Sequence, residues 1–141
     1  MSREAFLAST APSQLQDDRQ CFACGPENAL GLRLKFDYGE NSARCTVAIE
    51  PQFSGWAGML HGGIVATLLD EAMAHAAIAA GARALTGKLE IRFRKPAPTG
   101  APLQLEGKID RRRGKVLDAS AVLSDGAGTV YAEGHSRFVA V

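Results

Sequence analysis

Residues 60–81 read LHGGIVATLLDEAMAHAAIAAG, and this segment dictates the architecture of the chain. Its apolar side chains recur in pairs three or four positions apart, which is the spacing of one turn of an α-helix. The pairs are Ile64 with Val65, Leu68 with Leu69, Ala72 with Met73, and Ala76 with Ala77. This spacing predicts a helix over 62–80 that ends at Gly81, and the scarcity of polar side chains predicts that it is buried on most sides.

The segments on either side of this helix alternate apolar and polar residues, as half-buried strands do. Before the helix, 32–36 and 43–49 predict two strands joined by a turn at 37–41; after it, four strands are predicted over 88–94, 103–110, 116–123 and 130–139. The apolar surface of a single helix must be buried by other elements of the fold. The order therefore predicts an α+β fold, in which a curved antiparallel sheet of about six strands wraps around one long central helix.

Length and composition indicate one globular domain. The chain has 141 residues, of which 46% are hydrophobic and 22% charged, and its formal net charge is +1. We expect an N-terminal arm over 1–30 and a globular domain over 31–141, and no nucleic-acid partner because a large basic surface is lacking. Charged residues interrupt the longest apolar run, so no membrane partner is expected, and residues 1–20 do not resemble a secretory signal. Three cysteines predict a reduced, cytoplasmic protein.

Polar side chains are rare on the predicted helix, which makes them informative. At about 100° per residue they fall within one arc of roughly 140°; they are Thr67, Asp70, Glu71 and His75. A carboxylate in the middle of a buried helix is costly unless it is hydrogen-bonded or faces a wet cavity. Asp70 and Glu71 are therefore candidates for a functional acid, with a satisfied structural acid at a subunit interface as the alternative.

Two glycines, Gly62 and Gly63, open the predicted helix after His61. Without side chains there, another molecule can approach the free backbone N–H groups, where the helix dipole is positive. Such a position suits a developing oxyanion or a phosphate, although a flexible turn into the helix would use the same residues.

The motifs resemble a known enzyme family in their spacing. His61-Gly62-Gly63 is followed after six residues by Asp70-Glu71, and a later strand ends in RKPA at 94–97. From about Gly31 to Val139 the chain resembles the hotdog-fold acyl-CoA thioesterases, and more narrowly the PaaI-like branch of the 4-hydroxybenzoyl-CoA thioesterase superfamily. The N-terminal CFACG at 21–25 is similar to one bacterial branch of that family.

The resemblance implies a role for each matching residue. Asp70 matches the acid that acts as general base or nucleophile, and Gly62 matches the glycine whose N–H polarises the thioester carbonyl. His61 matches a histidine that shapes the turn and contacts the substrate carbonyl, and Thr86 lies where relatives place a hydroxyl near the attacking water. One departure is Gly55, where relatives often carry an asparagine.

Other candidate substrate-binding residues are Gly63, Trp56, Gln52, Arg111, Arg112 and Arg113. Trp56 is a candidate for the acyl pocket, with core packing as the alternative. The three arginines suit the phosphates of CoA, with a solvated turn as the alternative.

The predicted helix separates the two groups that the resemblance implies. Gly62 and Asp70 are eight residues apart, or about 12 Å at 1.5 Å per residue. A general base must come within about 3 Å of its water, and the oxyanion donor must touch the same thioester. Two antiparallel helices bring Gly62 of one copy beside Asp70 of the other, with room left by Gly63, Thr67, Ala74 and Ala77. We therefore expect a homodimer; the resemblance adds possible homotetramers.

The predicted function is hydrolysis of acyl-CoA or aroyl-CoA thioesters to free acid and CoA, with no cofactor and no metal. A non-catalytic acyl-CoA-binding sensor or carrier on the same fold is the alternative. A zinc-binding regulatory module built on Cys21 and Cys24 is the third hypothesis. It ranks last because a structural zinc site needs four ligands and no second cysteine or histidine pair stands at zinc-finger spacing.

Overall fold

The predicted helix and five of the six predicted strands occur in the computed structural model, which describes residues 15–141. The helix, α1, spans Gly62–Ala79. The strands are β1 (Asp37–Gly39), β2 (Ser42–Ala48), β3 (Ala84–Phe93), β4 (Pro102–Arg113), β5 (Val116–Ser124) and β6 (Val130–Ala140). They form one antiparallel sheet in the order β1-β2-β4-β5-β6-β3. The predicted fold class is confirmed.

The helix packs on the sheet through the apolar pairs that predicted it. Buried α1 side chains meet the inward-facing residues of the central strands, of which Leu105, Leu117 and Phe138 are among the most deeply buried. The approach is closest at Gly107 of β4, where a Cβ would collide with the Ala72 carbonyl group of the helix. At this position the sheet and α1 are therefore in direct backbone-to-backbone contact.

The prediction of a strand over 32–36 is wrong. Leu34 is buried as the alternation requires, but its N–H donates to the carbonyl of Ala23 at 2.9 Å, and the N–H of Leu32 donates to that of Phe22. Arg33 has a positive φ of 51°, which breaks the extended backbone. The segment pairs with the CFACG loop instead of the sheet, and β1 begins only at Asp37.

Part of the predicted arm, residues 1–14, lies outside the described part of the chain. The part that is described, from residue 15 onward, contributes to the main core through Ala23, which is 3% exposed.

By length and composition alone, α1 is apolar enough to cross a membrane. The prediction that no segment reaches that length was too strict, although the core helix of a folded domain passes the same test. In this fold its apolar side lies against the sheet, and seven of its residues are buried there: Val65, Leu68, Leu69, Ala72, Met73, Ala76 and Ala77.

Strand β3 lies at the edge of the sheet and pairs only with β6. It is ten residues long, and two of its apolar side chains, Leu89 and Phe93, are exposed. A long edge strand with exposed apolar residues is an uncommon end for a sheet, because its free N–H and C=O groups invite another strand.

Candidate active site

The start of α1 is a capped helix terminus with one backbone donor left over. His61 is the N-cap, and its Nδ1 accepts a hydrogen bond from the Gly63 N–H at 2.9 Å. The N–H groups of Ile64 and Val65 donate to the His61 carbonyl. Within residues 15–141 the Gly62 N–H finds no acceptor. It is an exposed donor at the positive end of the helix dipole.

The contact to Gly63 also determines the tautomer of the neutral His61 ring. Because Nδ1 accepts, the neutral imidazole carries its proton on Nε2. This places an imidazole N–H on an exposed side chain next to Gly62. The structure thus shows His61 shaping the turn through the cap that it provides.

Two aromatic side chains stand exposed near this terminus. A Cβ on Gly62 would lie 3.7 Å from Cε1 of Phe93, at the end of β3. Trp56 belongs to the loop that leads into His61 and is 82% exposed, so the core-packing alternative is wrong for the single chain. Sequence reasoning did not assign Phe93 to the site, because nothing local indicates that β3 ends against the start of the helix.

The middle of α1 carries a half-buried carboxylate with one partner. Asp70 Oδ1 accepts a hydrogen bond from the Thr86 hydroxyl of β3 at 2.8 Å. Burial raises the pKa of Asp70 and the negative charge of Glu71 adds to that rise, while the Thr86 hydrogen bond opposes it. No side chain within residues 15–141 binds Oδ2. That oxygen is left available as a hydrogen-bond acceptor.

A stripe along α1 is left uncovered by the sheet. It runs from the exposed Gly63 through Thr67, Asp70 and Ala74 to the exposed Ile78. The prediction that Ala77 belongs to this stripe is wrong, because Ala77 is buried and only 1% exposed. Its carbonyl accepts from the N–H of Ala82 at 2.9 Å, because the chain folds back over it after the helix ends. The prediction that the helix is buried on most sides holds only for its sheet side.

Gly55 packs against the capping histidine. A Cβ at this position would lie 3.3 Å from the His61 Cα, tighter than most side-chain contacts.

Gln52 donates from Nε2 to Glu50 at 2.6 Å and lines a cleft of about 380 Å³ between the 29–33 and 48–53 segments. These contacts place Gln52 beside Glu50 in that cleft, and it makes no hydrogen bond to Asp70.

The three arginines lie at the far end of the helix from Gly62. Arg111, Arg112 and Arg113 end β4, and Arg112 donates from Nη1 to the carbonyl of Ala80 at 3.4 Å. Ala80 is ten residues from Asp70, or about 15 Å along the axis. Their predicted contact with CoA phosphates stays a prediction.

The other polar residues of the helix belong to a separate cluster. Glu71 Oε2 lies 3.2 Å from His75 Nε2, one turn further along the helix. Nδ1 of His75 contacts the Tyr38 hydroxyl at 2.8 Å, and the ring stacks on Phe36. The polar arc is thus divided, with Asp70 on the open stripe and Glu71 beneath the N-terminal segment.

Comparison with known proteins identifies relatives of this arrangement. The sequence profile of the thioesterase superfamily matches residues 57–137. Acyl-coenzyme A thioesterase THEM4 of Bos taurus is 29% identical over 136 residues, which cover 91% of this chain and 56% of the relative. The chain thus spans about half the length of the curated relatives it matches.

Two solved structures share the fold. A crystal structure described as a thioesterase superfamily protein has a TM-score of 0.81 and 28% identity, over 96% of this chain and 72% of that one. The Escherichia coli PaaI protein from the phenylacetic acid degradation operon has a TM-score of 0.71 and 18% identity, over 77% of this chain and 79% of that one. The resemblance to the PaaI-like hotdog proteins is confirmed at the level of the fold.

Proposed function

The chain belongs to the thioesterase superfamily, and from that premise we propose that it hydrolyses acyl-CoA or aroyl-CoA thioesters to the free acid and CoA. The observation that carries the proposal is the pair of unsatisfied groups on α1: the Gly62 N–H at the helix start and Asp70 Oδ2 at mid-helix. One is a donor suited to a developing oxyanion, and the other is a base suited to a water.

Asp70 is the base or nucleophile of this reaction. Its raised pKa makes the carboxylate a stronger base than an exposed aspartate. Thr86 holds Oδ1, so that Oδ2 keeps a fixed direction. Thr86 is therefore a positioning residue that acts through Asp70.

Gly62 supplies the electrophilic assistance. Its N–H points from the positive end of α1, where a tetrahedral intermediate would place its negative oxygen. The cap by His61 keeps this turn rigid without using the Gly62 donor. Because a glycine has no side chain, a thioester carbonyl can approach it, with Phe93 beside it as a wall for the acyl group.

The active site needs two copies of the chain. Eight residues of one helix separate Gly62 from Asp70 by about 12 Å, which exceeds the reach of a single thioester group. Within residues 15–141, no element packs on the exposed stripe of α1 and no strand pairs with the outer edge of β3. Antiparallel packing of two copies across these features sets Gly62 of one beside Asp70 of the other.

The reaction then proceeds by one of two routes, in which Asp70 acts either as a general base or as a nucleophile. In the first, Asp70 takes a proton from water, the hydroxide oxygen bonds to the thioester carbon, the C–S bond breaks, and the proton passes from Asp70 to the leaving CoA sulfur. In the second, Asp70 attacks the carbon itself and CoA leaves as its thiolate; water then hydrolyses the mixed anhydride, which regenerates Asp70 and supplies the proton for the CoA sulfur. In both routes the Gly62 N–H carries the charge on the carbonyl oxygen.

Replacing Thr86 by valine should shift the acidic limb of the pH profile of kcat/KM to higher pH. The hydroxyl stabilises the charged form of Asp70, so its loss raises the pKa of that carboxyl further. Activity requires ionised Asp70 and is therefore lost at a higher pH on acidification. Thr67→Val is the matched control, because the Thr67 hydroxyl donates to the Gly63 carbonyl instead. An unshifted limb in Thr86→Val would contradict the positioning role.

The activity itself is tested by release of free thiol from a panel of aliphatic and aromatic CoA esters. We expect turnover of at least one class, and the ranking of kcat/KM gives the acyl preference. Tight binding of these esters without thiol release would favour the sensor or carrier instead. Gly55 in place of the asparagine implied by the family is the feature that keeps this second function open.

A further inference from the structure

A cluster of two sulfur groups and one carboxylate lies on the side of α1 that the proposed reaction does not use. Cys21, Cys24 and Glu71 each offer one ligand atom, and these atoms lie within 4.8 Å of one another. All three residues are partly buried. The cysteines come from the CFACG loop, and Glu71 comes from the helix, so the cluster joins the N-terminal segment to the centre of the fold.

We infer that Cys21, Cys24 and Glu71 form a binding site for a divalent transition metal, with zinc as the metal that suits its ligands. Two thiolates and one carboxylate are a donor set that zinc accepts, whereas magnesium and calcium prefer oxygen alone. The inference is independent of the thioesterase reaction, because neither Gly62 nor Asp70 takes part.

The spacing of the Cys21 and Glu71 ligand atoms fits a tetrahedral ion with little movement. Zn–S bonds near 2.3 Å and Zn–O bonds near 2.1 Å place a sulfur and an oxygen ligand about 3.6 Å apart across a tetrahedral centre. The Cys21 Sγ lies 3.9 Å from Glu71 Oε1. A shift of a few tenths of an ångström brings this pair to metal-binding distance.

The loop is shaped to hold its two sulfurs on one side. The Cys24 N–H donates to Cys21 Sγ at 3.5 Å, and the Gly25 N–H donates to the Cys21 carbonyl at 2.8 Å. Any side chain at Gly25 would collide with the backbone of Cys21.

An outer layer orients the carboxylate. His75 Nε2 holds the other oxygen of Glu71 at 3.2 Å, and Tyr38 holds His75 Nδ1. Such partners fix the direction of a ligand and usually raise the affinity of a site for metal. The fourth position of the ion is left to water.

The test uses the whole reduced chain, stripped with a chelator and titrated with Co²⁺ and then Zn²⁺. We expect one Co²⁺ per chain, with thiolate charge-transfer bands and tetrahedral d–d bands that Zn²⁺ abolishes. Cys21→Ser and Cys24→Ser should each weaken Zn²⁺ binding more than about 100-fold, and loss of the orienting ring in His75→Phe should weaken it about 10- to 100-fold. Cys45→Ala is the matched control, because this third cysteine is buried in β2 away from the cluster.

Circular dichroism and thermal unfolding of each variant separate a lost ligand from a lost fold. Zn²⁺ should raise the Tm of the wild-type chain and of Cys45→Ala, and leave the Tm of Cys21→Ser unchanged. Co²⁺ spectra without thiolate bands, or Zn²⁺ affinity unaltered in folded Cys21→Ser and Cys24→Ser, would overturn the site. The cluster would then be a hydrogen-bonded contact between loop and helix only.

Discussion

Replacing Asp70 by asparagine should lower kcat for CoA esters by about 10²- to 10⁴-fold, the loss typical of a missing general base. Asparagine has the same shape, and its Oδ1 can still accept the hydrogen bond that Thr86 donates at 2.8 Å. What is lost is the charge, and with it the ability to take a proton or to attack. The measurement is thiol release under saturating ester, with ester binding followed separately by calorimetry.

The stability of this variant gives an internal check. Since burial raises the pKa of Asp70 in the fold, its charged form costs folding free energy at neutral pH, and asparagine removes that charge. The Tm should therefore not fall. Asp118→Asn is the matched control and should keep activity within about twofold, because this half-buried carboxylate pairs with Arg137 on the sheet. Wild-type turnover in Asp70→Asn would contradict the assigned role.

Replacing Gly62 by proline should lower kcat by about 10²- to 10³-fold, because it deletes the backbone N–H assigned to the oxyanion. Proline is favoured at the first position of a helix, where no helical hydrogen bond uses that N–H. His61 already has φ −60° and ψ 137°, the extended conformation that a residue before proline requires. The helix and its cap should therefore remain.

Gly62→Ala is the matched control for this prediction. Alanine keeps the N–H, and its Cβ would sit 3.7 Å from the Phe93 ring, an ordinary contact. We expect the alanine variant to keep more of its kcat than the proline variant, because its methyl group narrows the approach of the carbonyl but its N–H is retained. Equal losses in the two variants would indicate steric crowding at the helix start and would refute the oxyanion role.

Local periodicity was sufficient to predict most of the fold. The helix and five of the six strands follow from repeats of about 3.6 or two residues that lie within one segment. The strand at 32–36 failed because its partner, the loop around Ala23, is not the neighbouring hairpin. Alternation reports which residues are buried, but it does not identify the backbone they pair with.

The site was predictable only where the chain itself fixes the geometry. The separation of Gly62 and Asp70 follows from helical rise alone, and it predicts a site shared between two copies of the chain. The contact of Cys21 with Glu71 joins residues fifty positions apart, so no spacing along the chain could indicate it. For the same reason the ring of Phe93 beside Gly62 went unnoticed.

The most direct measurement mixes Asp70→Asn and Gly62→Pro chains that carry different tags, after subunit exchange has been verified by pull-down. In a mixed dimer, one site combines the intact Asp70 of one chain with the intact Gly62 of the other. Random exchange should then restore about one quarter of wild-type turnover, since half of the dimers are mixed and each has one working site. Turnover that stays at the level of the two separate variants, despite proven exchange, would contradict a site built from two copies.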